Sequence, residues 1–409
     1  MGPSSNNEHS PSAVDRPRRP ILWTNAAFLI LTPILAMVAV PWYAVSHGIG
    51  WTEIAACLGL WLLTGLSVTA GYHRLFSHRS YEAVWPVRLV LVLLGGATWQ
   101  NSVIAWCAAH RYHHRDVDSE GDPYNPQEGF WYSHMGWVMV EGSRHGDTAN
   151  VPDLWQDPIC RWQHRHYLLI STAVNLGLVL LLGWLTGRML GMLIFGLLVR
   201  VVLTHHFTFL VNSAAHMWGS QPWSRGHSAR DNWALSLFTF GEGYHNYHHT
   251  FQVDYRNGPL WYNWDPSKWL IWLLASLGLA RRLRRNPIDV ALGRRFELAH
   301  RHFNERLTRL GATLDDLGGQ LADEVDVARR ALAERFLAAE QQVREALDAL
   351  ADARRTVQQA AANQRASWRV RRRLATARRS TRRALRHWQQ VGERYLGELD
   401  AGQTDMSPA

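Results

Sequence analysis

Four long apolar runs occupy the first half of the chain, and histidine-rich polar segments separate them. Ile21 to Val45 reads ILWTNAAFLILTPILAMVAVPWYAV, and residues 51–72 read WTEIAACLGLWLLTGLSVTAGY after the short link SHGIG. Residues 167–187 and 190–211 form a second pair joined through GWLTGRM. Each run is long enough for a helix to cross a hydrocarbon core of roughly 30 Å. Trp and Tyr near several run ends suit the headgroup belt. A fifth run, VRLVLVLLGGATW, is too short to cross and reads as a re-entrant or buried helix.

From about residue 290 the pattern changes. Apolar residues recur at three- and four-residue intervals among mixed charges, which predicts an amphipathic helix or coiled coil. Gly311 and the pair Gly318-Gly319 are expected to break it into pieces. The stretch RASWRVRRRLATARRSTRRALRHW is strongly basic and suits an anionic membrane face, although a solvated helical extension explains it as well. The opening MGPSSNNEHSPSAVDRPRRP is polar and rich in Pro and Ser, the composition of a disordered segment. The expected division is a disordered segment 1–19, a membrane domain 20–285, a basic helical extension 286–400 and a disordered tail 401–409.

Charge refines this picture. The formal net charge of +9 could point to nucleic acid, but the basic residues sit beside apolar runs and in the tail, where anionic lipid headgroups are nearer. No nucleic-acid partner is expected. Arginines precede the first run, lie between the second and third, and follow the fourth, while the two short links are nearly bare apart from Arg188. By the positive-inside rule both termini and the long middle loop are cytoplasmic. The Arg- and Ala-rich composition points to a bacterial cell membrane. Three cysteines without a CxxC pair give no disulfide framework, zinc-thiolate site or iron–sulfur cluster.

The histidines carry the chemistry. HRLFSH places His73 and His78 after the second run, HRYHH supplies His110, His113 and His114, and HNYHH supplies His245, His248 and His249. On a helix, positions i, i+3 and i+4 share a face, so each HxxHH can aim three imidazoles at one point. HxxxxH shares a face less well and is expected to straddle a bend. An isolated histidine such as His47 or His164 needs no function to explain it. Three boxes beside membrane spans do, because clustered imidazoles repel on protonation and a metal cation relieves that. A zinc ion saturates at about four ligands, so these eight histidines exceed one site. Neutral imidazole also suits iron, and the Glu-x-x-His pattern of soluble di-iron bundles is missing. Two irons in an all-nitrogen shell, activating O2, is the sharper reading. A zinc hydrolase, or a scaffold self-associating through the C-terminal helices, stands beside it.

Together with VNSAAH at 211–216, these boxes resemble the membrane acyl-CoA desaturases of the stearoyl-CoA delta-9 type over roughly residues 20–285. The resemblance extends to GDPYNPQEGFWYSHMGW at 121–137 and to WQN before the second box. It implies an all-α membrane protein with four transmembrane helices as two hairpins, a cytoplasmic helical histidine-box domain and an added C-terminal extension. It also implies a di-iron site, ferrous at rest, of nine histidines: His73, His78, His110, His113, His114, His216, His245, His248 and His249. Asn212 would hold a water beside one iron. Gln100, Trp106 and Thr208 match positions around the bend of the family's substrate tunnel, and Asn101 is retained. In the family an Arg-Asp pair precedes the second box, with the Arg meeting the coenzyme A end. Here Ala108-Ala109 replaces it, which makes an acyl chain on a phospholipid or carrier protein more plausible.

Removing hydrogen from an unactivated methylene requires an oxidant stronger than any side chain, and O2 activated at iron supplies one. The expected activity is insertion of a cis double bond, at delta-9, into a saturated fatty acyl chain, foremost as acyl-CoA. An acyl-lipid desaturase, and a di-iron fatty acid hydroxylase or alkane monooxygenase, are the alternatives. Each turnover uses O2 and two electrons. The chain shows no dinucleotide, flavin or haem motif, so an external donor of ferredoxin, rubredoxin or cytochrome b5 type, with its reductase, is expected to dock on the cytoplasmic face.

Overall fold

The computed structural model describes residues 19–142, 144–309, 327–362 and 368–404. It is helical almost throughout. Among the described residues, strand pairing is confined to Glu82–Ala83 against Ala280–Arg281 and to two isolated bridges. Among the described residues, four helices are long and apolar enough to cross a membrane: Trp23–His47, Trp51–Ser77, Tyr167–Thr186 and Met189–Met217. The first is α1, which carries Pro33 and Pro41 within its length. The fifth apolar run forms the short helix Trp85–Gly96, as its length predicts.

The second span runs beyond the apolar stretch that marks it in the sequence. Its α-helical part, α2 (Trp51–Leu66), continues as a π-helix from Ser67 to Ser77. Every residue of that continuation is buried, so its polar side chains face protein, and hydropathy alone places the end too early. The fourth span mixes the same two geometries, with a π-helical Met192–Val199 leading into α-helical Arg200–Asn212. π turns inside α-helices recur at functional sites. The second box lies on α3 (Val103–Asp116), whose N-cap Ser102 accepts a hydrogen bond from Ala105 N at 3.3 Å. The third lies on α4 (His245–Thr250).

The chain divides into two compact units. The first comprises the chain through Gly219, Asn232–His245 and Asn257–Leu283, and holds the four apolar helices and α3. The second comprises Ser220–Asp231, Asn246–Arg256 and the chain from Arg284. Its long helices are α5 (Ile288–Arg309), α6 (Val327–Ala362) and α7 (Trp368–Thr404). Phe303 stacks on Phe336 at 4.1 Å, and Phe296 and Phe336 both meet Trp388. Phe336 meets Trp388, Thr381 Oγ1 donates to the Ala346 carbonyl and Arg373 pairs with Asp352, so α6 and α7 run antiparallel. The apolar positions at three- and four-residue spacing close a shared core that includes Phe336, Val343, Leu350 and Leu396. Gly311, Gly318 and Gly319 lie outside the described residues, as does the N-terminal segment up to residue 18. The last helix continues through Thr404, into the stretch expected to be disordered, because extending a formed helix costs far less than starting one.

Candidate metal centre

The first box shows how the backbone solves a spacing problem. In an α-helix, positions i and i+5 point in different directions. Here the amide of His78 donates to the carbonyl of His73 at 3.0 Å, an i+5 bond of the π type that brings the two residues over one another. Their ring centroids lie 4.8 Å apart.

Within the first unit the imidazoles fall into two groups. One ring nitrogen from each of His73, His78, His110 and His114 lies within 4.8 Å of the others, with the Nε2 atoms of His78 and His110 2.8 Å apart. His113, His216 and His245 form the second group within the same limit, with the Nε2 atoms of His216 and His245 3.1 Å apart. Helix α3 therefore shares its box between the groups, His110 and His114 in one and His113 in the other. His216 comes from the turn Ala214–Met217 that follows Asn212. His248 and His249 lie one turn along α4 from His245, and both are buried.

Loss of solvent favours the neutral form of two of these rings. His78 and His110 are pushed well below the ordinary histidine range, first by loss of solvent and then by neighbouring imidazoles. A neutral imidazole offers a lone pair to a metal, and its other nitrogen needs an acceptor to fix the tautomer. Two carboxylates provide that. His73 Nδ1 lies 2.9 Å from Glu242 Oε2, and His113 Nδ1 lies 2.9 Å from both oxygens of Asp122. Tyr124 stacks on His113 at 4.3 Å and bonds His110 Nδ1 at 3.2 Å, touching a ring of each group. Clustered imidazoles, mostly buried and two of them held by carboxylates, fit a pair of transition-metal ions.

Sequence reasoning gave Glu242 and Asp122 no role, although GEG and GDPYNP both flank the boxes. Glu242 also binds Arg74 at 2.9 Å, and Asp265 takes the other arm of that buried guanidinium. The glycines of GEG make the approach feasible. Gly241 has φ +99°, and a Cβ there would fall 2.6 Å from Asp265. A Cβ on Gly243 would fall 2.5 Å from the Asn232 carbonyl and the Ser236 amide.

A cavity of about 800 Å³ opens beside these groups, lined by His73, His110, His113 and His245. It lies in the range of ligand-sized cavities, roughly 300–1,000 Å³. Phe28, Leu29, Trp61 and Val68 make much of its wall apolar, and Gln100, Asn101, Trp106, Thr208 and Asn212 line it too. Gln100 Nε2 donates to Thr208 Oγ1 at 2.9 Å, and Trp106 stacks on His110 at 5.0 Å. Asn101 takes φ +86°, with its amide on the Tyr167 hydroxyl at 3.0 Å. Of the isolated histidines, His164 bonds Ser102 Oγ and lines the cavity, whereas His47 stacks on Tyr43.

The profile of the fatty acid desaturase family matches residues 49–265. The chain is 37% identical over 304 residues to acyl-CoA desaturase 1 of Saccharomyces cerevisiae, covering 71% of this chain and 58% of that protein. It is 43% identical over 226 residues to a probable acyl-CoA desaturase of Schizosaccharomyces pombe, covering 55% of this chain and 47% of that one. Identity to an sn-1 stearoyl-lipid 9-desaturase of Anabaena variabilis is 33% over 266 residues, or 64% of this chain and 94% of the relative. The chain thus spans about half the length of the two yeast relatives and nearly all of the cyanobacterial one. With its family match over more than half its length, the chain belongs to the fatty acid desaturase family.

Proposed function

We propose that the protein is an O2-dependent di-iron desaturase that places a cis double bond, at delta-9, in a saturated fatty acyl chain carried on coenzyme A. The observation that supports this most is the convergence of two groups of imidazoles beside a largely apolar cavity. The seven histidines of those groups, with His248 and His249 from α4, would hold two irons, and Asn212 a water beside one of them. Bound iron supplies the reduction of O2 that makes an unactivated C–H bond breakable. Overall, O2 becomes two waters, taking two hydrogens from the chain, two electrons from an external donor and two protons from solvent.

The protein's own part is binding and orientation. Glu242 and Asp122 keep the Nδ1 protons of His73 and His113 in place, so their Nε2 lone pairs face the metals. The apolar wall takes the acyl chain and excludes water, and the Gln100–Thr208 pair with Trp106 sets where the chain turns. The apolar helices cross the membrane as two hairpins, with both termini and the histidines on the cytoplasmic side. Residues 20–285 form the desaturase domain and 286–400 its basic extension. The donor, of ferredoxin, rubredoxin or cytochrome b5 type, docks on that face. The Arg- and Ala-rich composition favours a bacterial cell membrane.

An acyl-lipid substrate is the second reading, and one observation favours it. Ala108 and Ala109 carry no charge for a coenzyme A phosphate, and the nearby Arg111 is occupied by Asp153 at 2.7 Å and by the carbonyls of Phe76 and Ser77. Expression in a host lacking unsaturated fatty acids tests the proposal. New monounsaturated chains are expected, dependent on O2. Hydroxylated chains instead would assign the protein to the hydroxylases, and no change in lipid would leave the zinc hydrolase.

A further inference from the structure

The extension after residue 284 packs against the third histidine box. In the second unit, Trp223, Tyr247, Phe251 and Ala291 form one buried cluster, joining α4 to the first turn of α5. Trp223 meets the Tyr247 ring at 5.1 Å and the Phe251 ring at 6.2 Å. Ala291 is 1% exposed, so no larger side chain fits there without displacing a neighbour.

Polar contacts fix the same arrangement. Asn246 Oδ1 accepts from the Trp223 amide at 2.8 Å, while its Nδ2 donates to the carbonyls of Ser224 and Ala229. Asp231 accepts from the Tyr247 amide at 3.0 Å and from the Trp223 indole at 2.8 Å. The Tyr247 hydroxyl donates to Asp254, which also accepts from the Asn286 amide at 2.9 Å. Arg294 of α5 donates to the Trp223 carbonyl at 3.3 Å. A helix as short as α4 has little stability of its own, so its orientation is set by what it packs against.

We propose that Trp223 and Ala291 are positioning residues of the metal centre, through which α5 holds His248 and His249 at the angle that iron binding requires. This inference rests on the di-iron reading above.

The test uses full-length protein from iron-replete cells, with iron per chain, an iron titration and the Mössbauer spectrum of the 57Fe-loaded ferrous form as readouts. Trp223→Ala and Ala291→Trp should weaken iron binding about 10-fold or more and alter the ferrous spectrum. Trp223→Phe keeps an aromatic ring against Tyr247 and should restore both. Leu350→Ala opens a cavity in the extension away from Trp223; it should lower the melting temperature while iron and spectrum stay as in the wild type. Wild-type iron and spectrum in Trp223→Ala and Ala291→Trp would overturn the inference, and so would equal iron loss in Leu350→Ala. Wild-type protein without iron would refute the di-iron reading and this inference with it, whereas an iron-replete wild type with unaffected variants refutes this inference alone.

Discussion

Glu242 Oε2 lies 2.9 Å from His73 Nδ1, and its other oxygen holds the Arg74 guanidinium at the same distance. One buried carboxylate thus sets the tautomer of a candidate ligand and neutralises the cation next to it in sequence. Glu242→Gln keeps the shape but removes the charge, leaving Arg74 to Asp265 alone. Iron affinity should fall about 10- to 100-fold. Titration of the apoprotein with ferrous iron measures it, and unchanged affinity would show that Glu242 serves only Arg74.

Metal content separates the reading from its zinc alternative. Purified protein should carry close to two irons per chain, with zinc only as a substitute. His113→Ala and His248→Ala should abolish desaturation while the protein remains in the membrane fraction. His47→Ala removes an exposed ring stacked on Tyr43 and should change activity little. Equal loss in all three variants would mean that the substitutions act through folding.

The boxes and the four spans were legible because each depends on local spacing: about twenty apolar residues make a span, and i, i+3, i+4 makes a helix face. Where tertiary structure decides, the sequence was silent. HxxxxH looked unsuited to one helix until the π turn joined His73 and His78. Glu242 and Asp122 sat in plain view in GEG and GDPYNP, but only the fold shows which histidine each one meets. Ala291 carries no signal at all. It is an ordinary alanine of an amphipathic helix, and its place in one buried cluster with Trp223, far back in the chain, follows from no periodicity.

Gly243 tests the packing behind the third box. A methyl group there would fall 2.5 Å from two backbone atoms, neither of which can move by a rotamer change. Gly243→Ala should destabilise the protein by about 1–3 kcal/mol, as overpacking does. Thermal denaturation in detergent reads this. A melting temperature equal to the wild type would place the Asn232–Ser236 turn elsewhere.

The Gln100–Thr208 hydrogen bond joins two lining residues that are not among the candidate ligands. Replacing both with alanine should leave iron content unchanged and enlarge the cavity at that level. The distribution of product chain lengths or bond positions should then shift, as gas chromatography of derivatised fatty acids would show. An unchanged distribution with normal activity would remove the pair from substrate selection.

The carrier of the acyl chain is the last question, and it turns on which cations are available. A coenzyme A phosphate gains charge-assisted hydrogen bonds from arginine. Arg111 is committed to Asp153, and Arg115 is paired with Asp116 at 2.6 Å. Arg144 is different: it lines the cavity, lies over the Tyr112 ring and keeps its nearest carboxylates only at 3.7 Å. If acyl-CoA is the substrate, Arg144→Ala should raise KM for stearoyl-CoA about 10- to 150-fold, the loss of a charged hydrogen bond of roughly 1.5–3 kcal/mol. Because Arg144 meets the headgroup and not the reacting carbons, kcat should change little. The assay supplies purified protein with an electron donor and offers the same acyl chain on coenzyme A or on a phospholipid. Conversion of the coenzyme A ester, with the phospholipid inert, supports the proposal. Conversion of the phospholipid alone would overturn it and show that Ala108-Ala109 marks a change of headgroup.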